Sequence, residues 1–220
     1  MKNNKGLNIM GEIIIKNKLC ISQNPKGITK YWPKSYVCKF YYKLLKSHIF
    51  DKEIINFLDI DSKNKNQIKL WKLIFKNLNL TQTKLSEFDF KLRKSSNNYN
   101  NDFDIIVMNK IPTNHEIDIT RNILNQLNKK GLLILEDCGE RINYVLKIFI
   151  IFSYKYDVSI EDYRLHRMLR NNCLLIIKNY ESNLFENIIT FNKNFLKLLY
   201  FMILEAILKV HDTIIIVINN

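Results

Sequence analysis

Short, continuously apolar runs alternate with segments whose apolar residues recur at helical spacing, and this constrains the chain more than any other feature. Ile54-Ile55-Asn56-Phe57-Leu58-Asp59-Ile60, Phe103-Asp104-Ile105-Ile106-Val107-Met108 and Leu132 to Glu136 read as strands buried on both faces. Between and after them, Ile68, Trp71, Ile74 and Phe75 share one helical face, as do Ile117, Ile119, Ile123, Leu124 and Leu127. A further helix is expected through Tyr144–Phe152, and two late strands near 157–163 and 173–178. Strand–helix alternation of this kind predicts a largely parallel sheet with both faces covered, and the two late strands are expected to run antiparallel to each other. Lys130-Gly131 is expected to close the second helix, with a left-handed residue and a cation at its carboxyl end.

Upstream, 12–22 reads as a β-branched strand, and apolar residues recur at helical spacing from Tyr36. The interval 79–102 is ambiguous: Leu85 to Phe90 alternates, then a polar stretch runs from Ser95 to Asn101. The turn after the first strand, Asp61-Ser62-Lys63-Asn64-Lys65-Asn66, has no glycine, although this is where a backbone must approach a bound nucleotide.

With 220 residues, 47% of them hydrophobic, the chain can bury a sizeable core. Its net charge of +13 is spread over lysines along the whole length, amid the Lys, Asn and Ile abundance expected of AT-rich coding sequence. A dispersed charge disfavours a dedicated nucleic-acid surface. Lys63, Lys65 and Lys69, near a helix start, are the one local cluster, and a solvated basic loop is the better reading of it. Cys20, Cys38, Cys138 and Cys173 form no paired motif, which argues against a zinc knuckle or a disulfide framework and for a reduced, intracellular, cytoplasmic setting. The stretch Phe195 to Ile218 is apolar, but Lys197, Glu205, Lys209, His211 and Asp212 interrupt it, so a buried helix and strand are expected rather than a membrane span.

Four segments, in order and with closely matching gaps, resemble class I S-adenosylmethionine-dependent methyltransferases, nearest the macrocin O-methyltransferase and cephalosporin hydroxylase-like group. Leu58-Asp59-Ile60 with Lys69-Leu70-Trp71 resembles the group's L-E-I-G-x-x-x-G-G-S-L-x-x-W opening. Phe103 to Val107 with Asn114-His115-Glu116 resembles F-D-I-I-x-D-D-G-S-H-H, and Lys130-Gly131-Leu132 to Glu136-Asp137 resembles K-P-G-G-x-x-x-x-E-D. Glu161-Asp162-Tyr163-Arg164, with Asn171 to Lys178, resembles the closing antiparallel hairpin.

The resemblance covers about residues 25–179, leaving 1–24 as an N-terminal segment and 180–220 as an apolar extension. It implies a Rossmann-like, three-layer α/β fold with a mostly parallel central sheet, and transfer of a methyl group to a hydroxyl of a small molecule or sugar. It places S-adenosylmethionine near Asp59, Asp61 and Glu87, and the acceptor near Asn109, His115 and Asp137. Magnesium, if used, would be held by Asp137 and Asn109, because aspartates of the group hold a divalent metal there. For Glu136 the alternation of strand side chains favours a purely structural role.

The departures lie where the chemistry would be. The group's turn glycines correspond to Asp61, Lys63, Lys65 and Asn66; its aspartate pair has become Met108-Asn109; and no second strand ends in an acid for the ribose. Two classes of function therefore stand: a methyltransferase, and a degenerate, non-catalytic module of the same fold that binds a protein or a polyanion. A homodimer through residues 180–220 is compatible with both.

Overall fold

The computed structural model describes residues 54–61, 65–75, 77–86, 103–109, 115–136, 138, 141–162 and 173–179, and, within the tail, the helical residues 189, 192–193, 195–196, 198–203 and 206–207. The predicted strand 12–22, the helix from Tyr36 and the apolar run at 213–218 lie outside them.

Among the described residues before the tail, nine elements build a doubly covered sheet. In order they are β1 (Ile55–Ile60), α1 (Lys65–Ile74), β2 (Leu78–Thr83), β3 (Phe103–Met108), α2 (Glu116–Leu124), β4 (Leu127–Leu135), α3 (Ile142–Phe152), β5 (Asp157–Asp162) and β6 (Cys173–Lys178). The six strands lie in the order β2-β1-β3-β4-β6-β5. The first four are mutually parallel, and β6 enters antiparallel between β4 and β5. This is a Rossmann-like α/β fold, and the expected parallel neighbours β1, β3 and β4 and the antiparallel hairpin are all present.

Strand parity sorts the core into two layers. Leu58, Ile60, Ile106, Met108, Leu133 and Leu135 join Ile119 and Ile123 of α2 and Val145, Ile148 and Phe149 of α3 in one apolar cluster. The alternate residues face the other way, where Phe57 packs against Trp71 and Phe75 at ring-centroid distances of 5.3 and 6.2 Å. Helix α1 therefore covers the second face. Leu198 and Phe201 of the tail belong to the first cluster, so the helical tail docks on the α2/α3 side.

Two expectations about boundaries need correction. Strand β2 lies across the start of the ambiguous interval 79–102; its burial alternates weakly, and within the described sheet it is an edge strand beside β1. Helix α2 ends at Leu124 rather than near Lys130, and Leu127 opens β4 instead of facing a helix neighbour. Lys130 does take the left-handed backbone, with φ 66°, but inside β4. There Phe103 pairs with Leu127 and Ile105 with Leu132, so Asn128 to Gly131 bulge opposite the single residue Asp104. Asn179 secures the bulge: Lys130 N–H donates to its carbonyl at 2.7 Å, and its own N–H donates to the Gly131 carbonyl at 2.9 Å. Buried Asp104 ties three strands at this amino-terminal end, accepting from Asn56 N at 3.0 Å and from Asn128 Nδ2 at 2.9 Å.

Candidate functional site at the carboxyl ends of β1, β3 and β4

Ligands of open α/β sheets lie outside the carboxyl ends of the strands, where the strand order reverses. Here β2 follows β1 on one side and β3 lies on the other, which puts the reversal between β1 and β3. Asp59, near the end of β1, is wholly buried, and its Oδ1 accepts from Asn109 Nδ2 at 3.0 Å. Asn109 follows β3 directly; its Nδ2 also donates to the Ile60 carbonyl at 3.3 Å and its backbone N–H to the same carbonyl at 3.1 Å. Both neighbours of that amide nitrogen are acceptors only, which fixes the amide orientation. The predicted cofactor-side acid and acceptor-side amide are thus brought together.

Glu136 completes the row. It is fully buried one residue past β4, and its N–H donates to the Met108 carbonyl at 3.0 Å, continuing the β3–β4 ladder. Register aligns Asp59 with Val107 and Val107 with Ile134, so by alternation Asp59, Asn109 and Glu136 stand on one face of the sheet. That is the face covered by α1. Parity counted from Asp137 favours a purely structural role for Glu136, whereas the register places its side chain in this row. The signal that finds it is the phase of Leu133 and Leu135 in the opposite core layer.

The turn after β1 shows what replaced the glycines. Asp61 has φ 60°, the backbone conformation that glycine adopts without cost. Its N–H donates to the Thr83 carbonyl at 3.0 Å, and its Oδ1 accepts from Leu85 N at 3.2 Å. The side chain is thereby turned toward the end of β2 and caps that strand. Lys65 and Asn66 lie in the first turn of α1, where no left-handed residue is needed. The turn keeps the bend at its first position and continues as ordinary helix by its fifth.

His115 precedes α2 as its N-cap with φ 53°; it is exposed, and its side chain makes no capping bond. Its carbonyl accepts from Ile119 N at 3.0 Å, so the described helix starts here. Among the described residues no hydrogen bond joins His115 to Asn109. Glu87, Asp137 and Lys63 lie outside the described residues. Among the described residues no group of three His, Cys, Asp or Glu side chains is placed to hold a metal ion.

The donor set can be tested against the implied cofactor. Two buried carboxylates, Asp59 and Glu136, in a row at the switch point suit a cationic group rather than a phosphate. S-adenosylmethionine carries such charge on its amino and sulfonium groups, so that part fits. The Asp61 side chain folds back on β2 and leaves the bend at the tip of β1 with a backbone of the required handedness.

No protein-family model and no curated protein matches the chain. Among solved structures it is similar to the StiE O-MT, with 14% identity over 84% of this chain and 88% of that one and a TM-score of 0.43. It is also similar to MycE, a methyltransferase of the mycinamycin biosynthetic pathway in complex with Mg and SAH. There the identity is 13% over 66% of this chain and the TM-score is 0.39. This chain spans about half, 49%, of the MycE chain. A release-factor-specific protein-(glutamine-N5) methyltransferase from Alicyclobacillus acidocaldarius aligns with 10% identity over 64% of this chain and 89% of that one, at a TM-score of 0.40. Among the described residues no helix is long and apolar enough to cross a membrane.

Proposed function

We propose that the chain is a methyltransferase-like protein whose site is the crevice beyond β1, β3 and β4, and that it binds S-adenosylmethionine and methylates a hydroxyl of a small molecule or sugar. The observation that carries this reading is the buried Asp59–Asn109 pair, 3.0 Å apart at the reversal of strand order. S-adenosylmethionine supplies an electrophilic methyl group on a positively charged sulfur. Asp59 and Glu136 would hold its cationic groups, and Asp61 would shape the turn beside it. Asn109 orients Asp59 through its amide. His115, exposed at the start of α2, would accept the proton that the acceptor hydroxyl gives up. Magnesium, where used, would be held by Asp137 and Asn109.

A second reading has its own support. The Asp61 carboxylate is engaged by the Leu85 amide, and side-chain-bearing residues stand where the resemblance puts four glycines. A module that has kept the fold and uses its surface for a protein partner, or less favourably for a polyanion, accounts for both facts.

Titration calorimetry with S-adenosylmethionine and with S-adenosylhomocysteine separates the readings. The enzyme reading expects binding of both, weakened at least tenfold by Asp59→Asn. Absence of heat at millimolar cofactor, with or without Mg²⁺, removes it and leaves the binding module.

A further inference from the structure

The tail helix turns only a small part of its surface to the core. Residues 192–207 are helical wherever they are described, and Leu198 and Phe201 are the ones buried there. Phe195, Leu199 and Met202 form one outward row, and Leu196, Tyr200, Ile203 and Ile207 form a second beside it. Each row follows the alternating three- and four-residue spacing of a helix–helix seam. At 100° per residue the two rows share an arc of roughly 160°. Every described residue on that arc between Phe195 and Ile207 is uncharged.

These seven side chains are 43–67% exposed. With about 150–200 Å² of accessible surface for a residue of this size, they leave roughly 550–750 Å² in one patch, most of it apolar. A monomer's largest apolar patch is ordinarily about 300–600 Å², whereas one partner of a stable complex contributes about 800 Å². We infer that this face is covered by the same face of a second copy of the chain, the two tail helices packing across a two-fold axis. A self-complementary, uncharged seam suits a protein of net charge +13, because it joins two copies without bringing their lysines together. The area approaches one partner's share of such an interface, and two adjacent seams provide the ridges and grooves that helices need to interlock.

The test is mass by light scattering on the full chain over roughly 2–200 µM, a range that brackets micromolar association. The expected result is a species of twice the chain mass that dissociates on dilution. Leu199→Arg with Ile203→Arg should give a single-chain species throughout, while Ile150→Arg, on the exposed side of α3, should leave the dimer intact. If the paired arginines prevent folding, Leu196→Gln serves instead and should raise the dissociation midpoint at least tenfold. A wild-type chain of single mass over the whole range overturns the inference, whether it sediments with anionic phospholipid vesicles or stays in solution. A dimer whose midpoint is unmoved by every tail substitution overturns it as well.

Discussion

Replacing Asn109 by aspartate restores the residue type that the resemblance expects and sets two carboxylates against each other. The amide nitrogen now 3.0 Å from Asp59 Oδ1 would become a second acceptor oxygen. The variant loses a charge-assisted hydrogen bond, worth about 1.5–3 kcal/mol. Two full charges at this range would repel by about 5.5 kcal/mol at an effective dielectric of 20. The repulsion is limited because the pair can take up one proton, so the net loss expected near neutral pH is about 3–5 kcal/mol. The sign of the pH dependence follows from that proton. Folded Asn109→Asp holds it where the unfolded chain, with carboxyls in their usual range, does not. Stability relative to the parent therefore falls as pH rises, by about 1.4 kcal/mol per unit. Urea titrations followed by circular dichroism, at about pH 7 and about pH 5, should show roughly 2–3 kcal/mol recovered at the lower pH. A few millimolar Mg²⁺ should raise the variant's midpoint by more than the parent's, since the substitution makes a third carboxylate beside Asp59 and Glu136. A loss under about 1 kcal/mol that does not vary with pH would refute the placement of Asn109 against Asp59.

Three further outcomes are expected. A Cβ on Gly131 would lie 2.8 Å from the Asn128 carbonyl oxygen and 3.1 Å from that of Phe103, both backbone; Gly131→Ala should cost about 2–3 kcal/mol in urea unfolding. Asp61→Ala loses the Leu85 hydrogen bond and keeps the left-handed strain, a loss of about 1–2 kcal/mol, whereas Asp61→Gly relieves the strain and should unfold about 1 kcal/mol later than the alanine variant. Burial pushes the Tyr144 phenol above the ordinary tyrosine range, against the lowering effect of its 2.8 Å bond with Thr120 Oγ1. The folded state thus favours the protonated phenol, and stability present below the ordinary range is lost as pH rises through it. Tyr144→Phe should flatten that alkaline loss, measured as the unfolding midpoint from about pH 9 upward.

Much of the architecture was legible because core strands announce themselves. Phe103–Met108 and Cys173–Lys178 are apolar runs buried on both sides, and their limits match the sequence reading residue for residue. Edge strand β2 carries Asn79, Thr81 and Gln82 in a half-exposed setting, so its hydropathy resembles that of a loop. Leu127 fitted the helical period of Ile123 and Leu124 equally well as it fits a strand, and only pairing with Phe103 decides it. At the site, a motif in register singles out Asp59 and Asn109, which the fold sets side by side, whereas the face Glu136 takes is open to parity along one strand until its neighbours fix the phase. The fate of the glycine turn was hidden for another reason: the Asp61 side chain is committed by an amide 24 residues away, a distance no local reading spans.

The bulge in β4 separates two lengths that a sheet normally locks together. Because Asn128 to Gly131 loop out opposite Asp104, and Asn179 holds the loop from β6, the connection after α2 can lengthen or shorten without moving the ladder from Ile105–Leu132 onward. Insertions there would be absorbed at the amino-terminal rim of the sheet. The level of Glu136 beside Asn109 is set only by the last four pairs, so the far rim is free to vary while the crevice keeps its geometry.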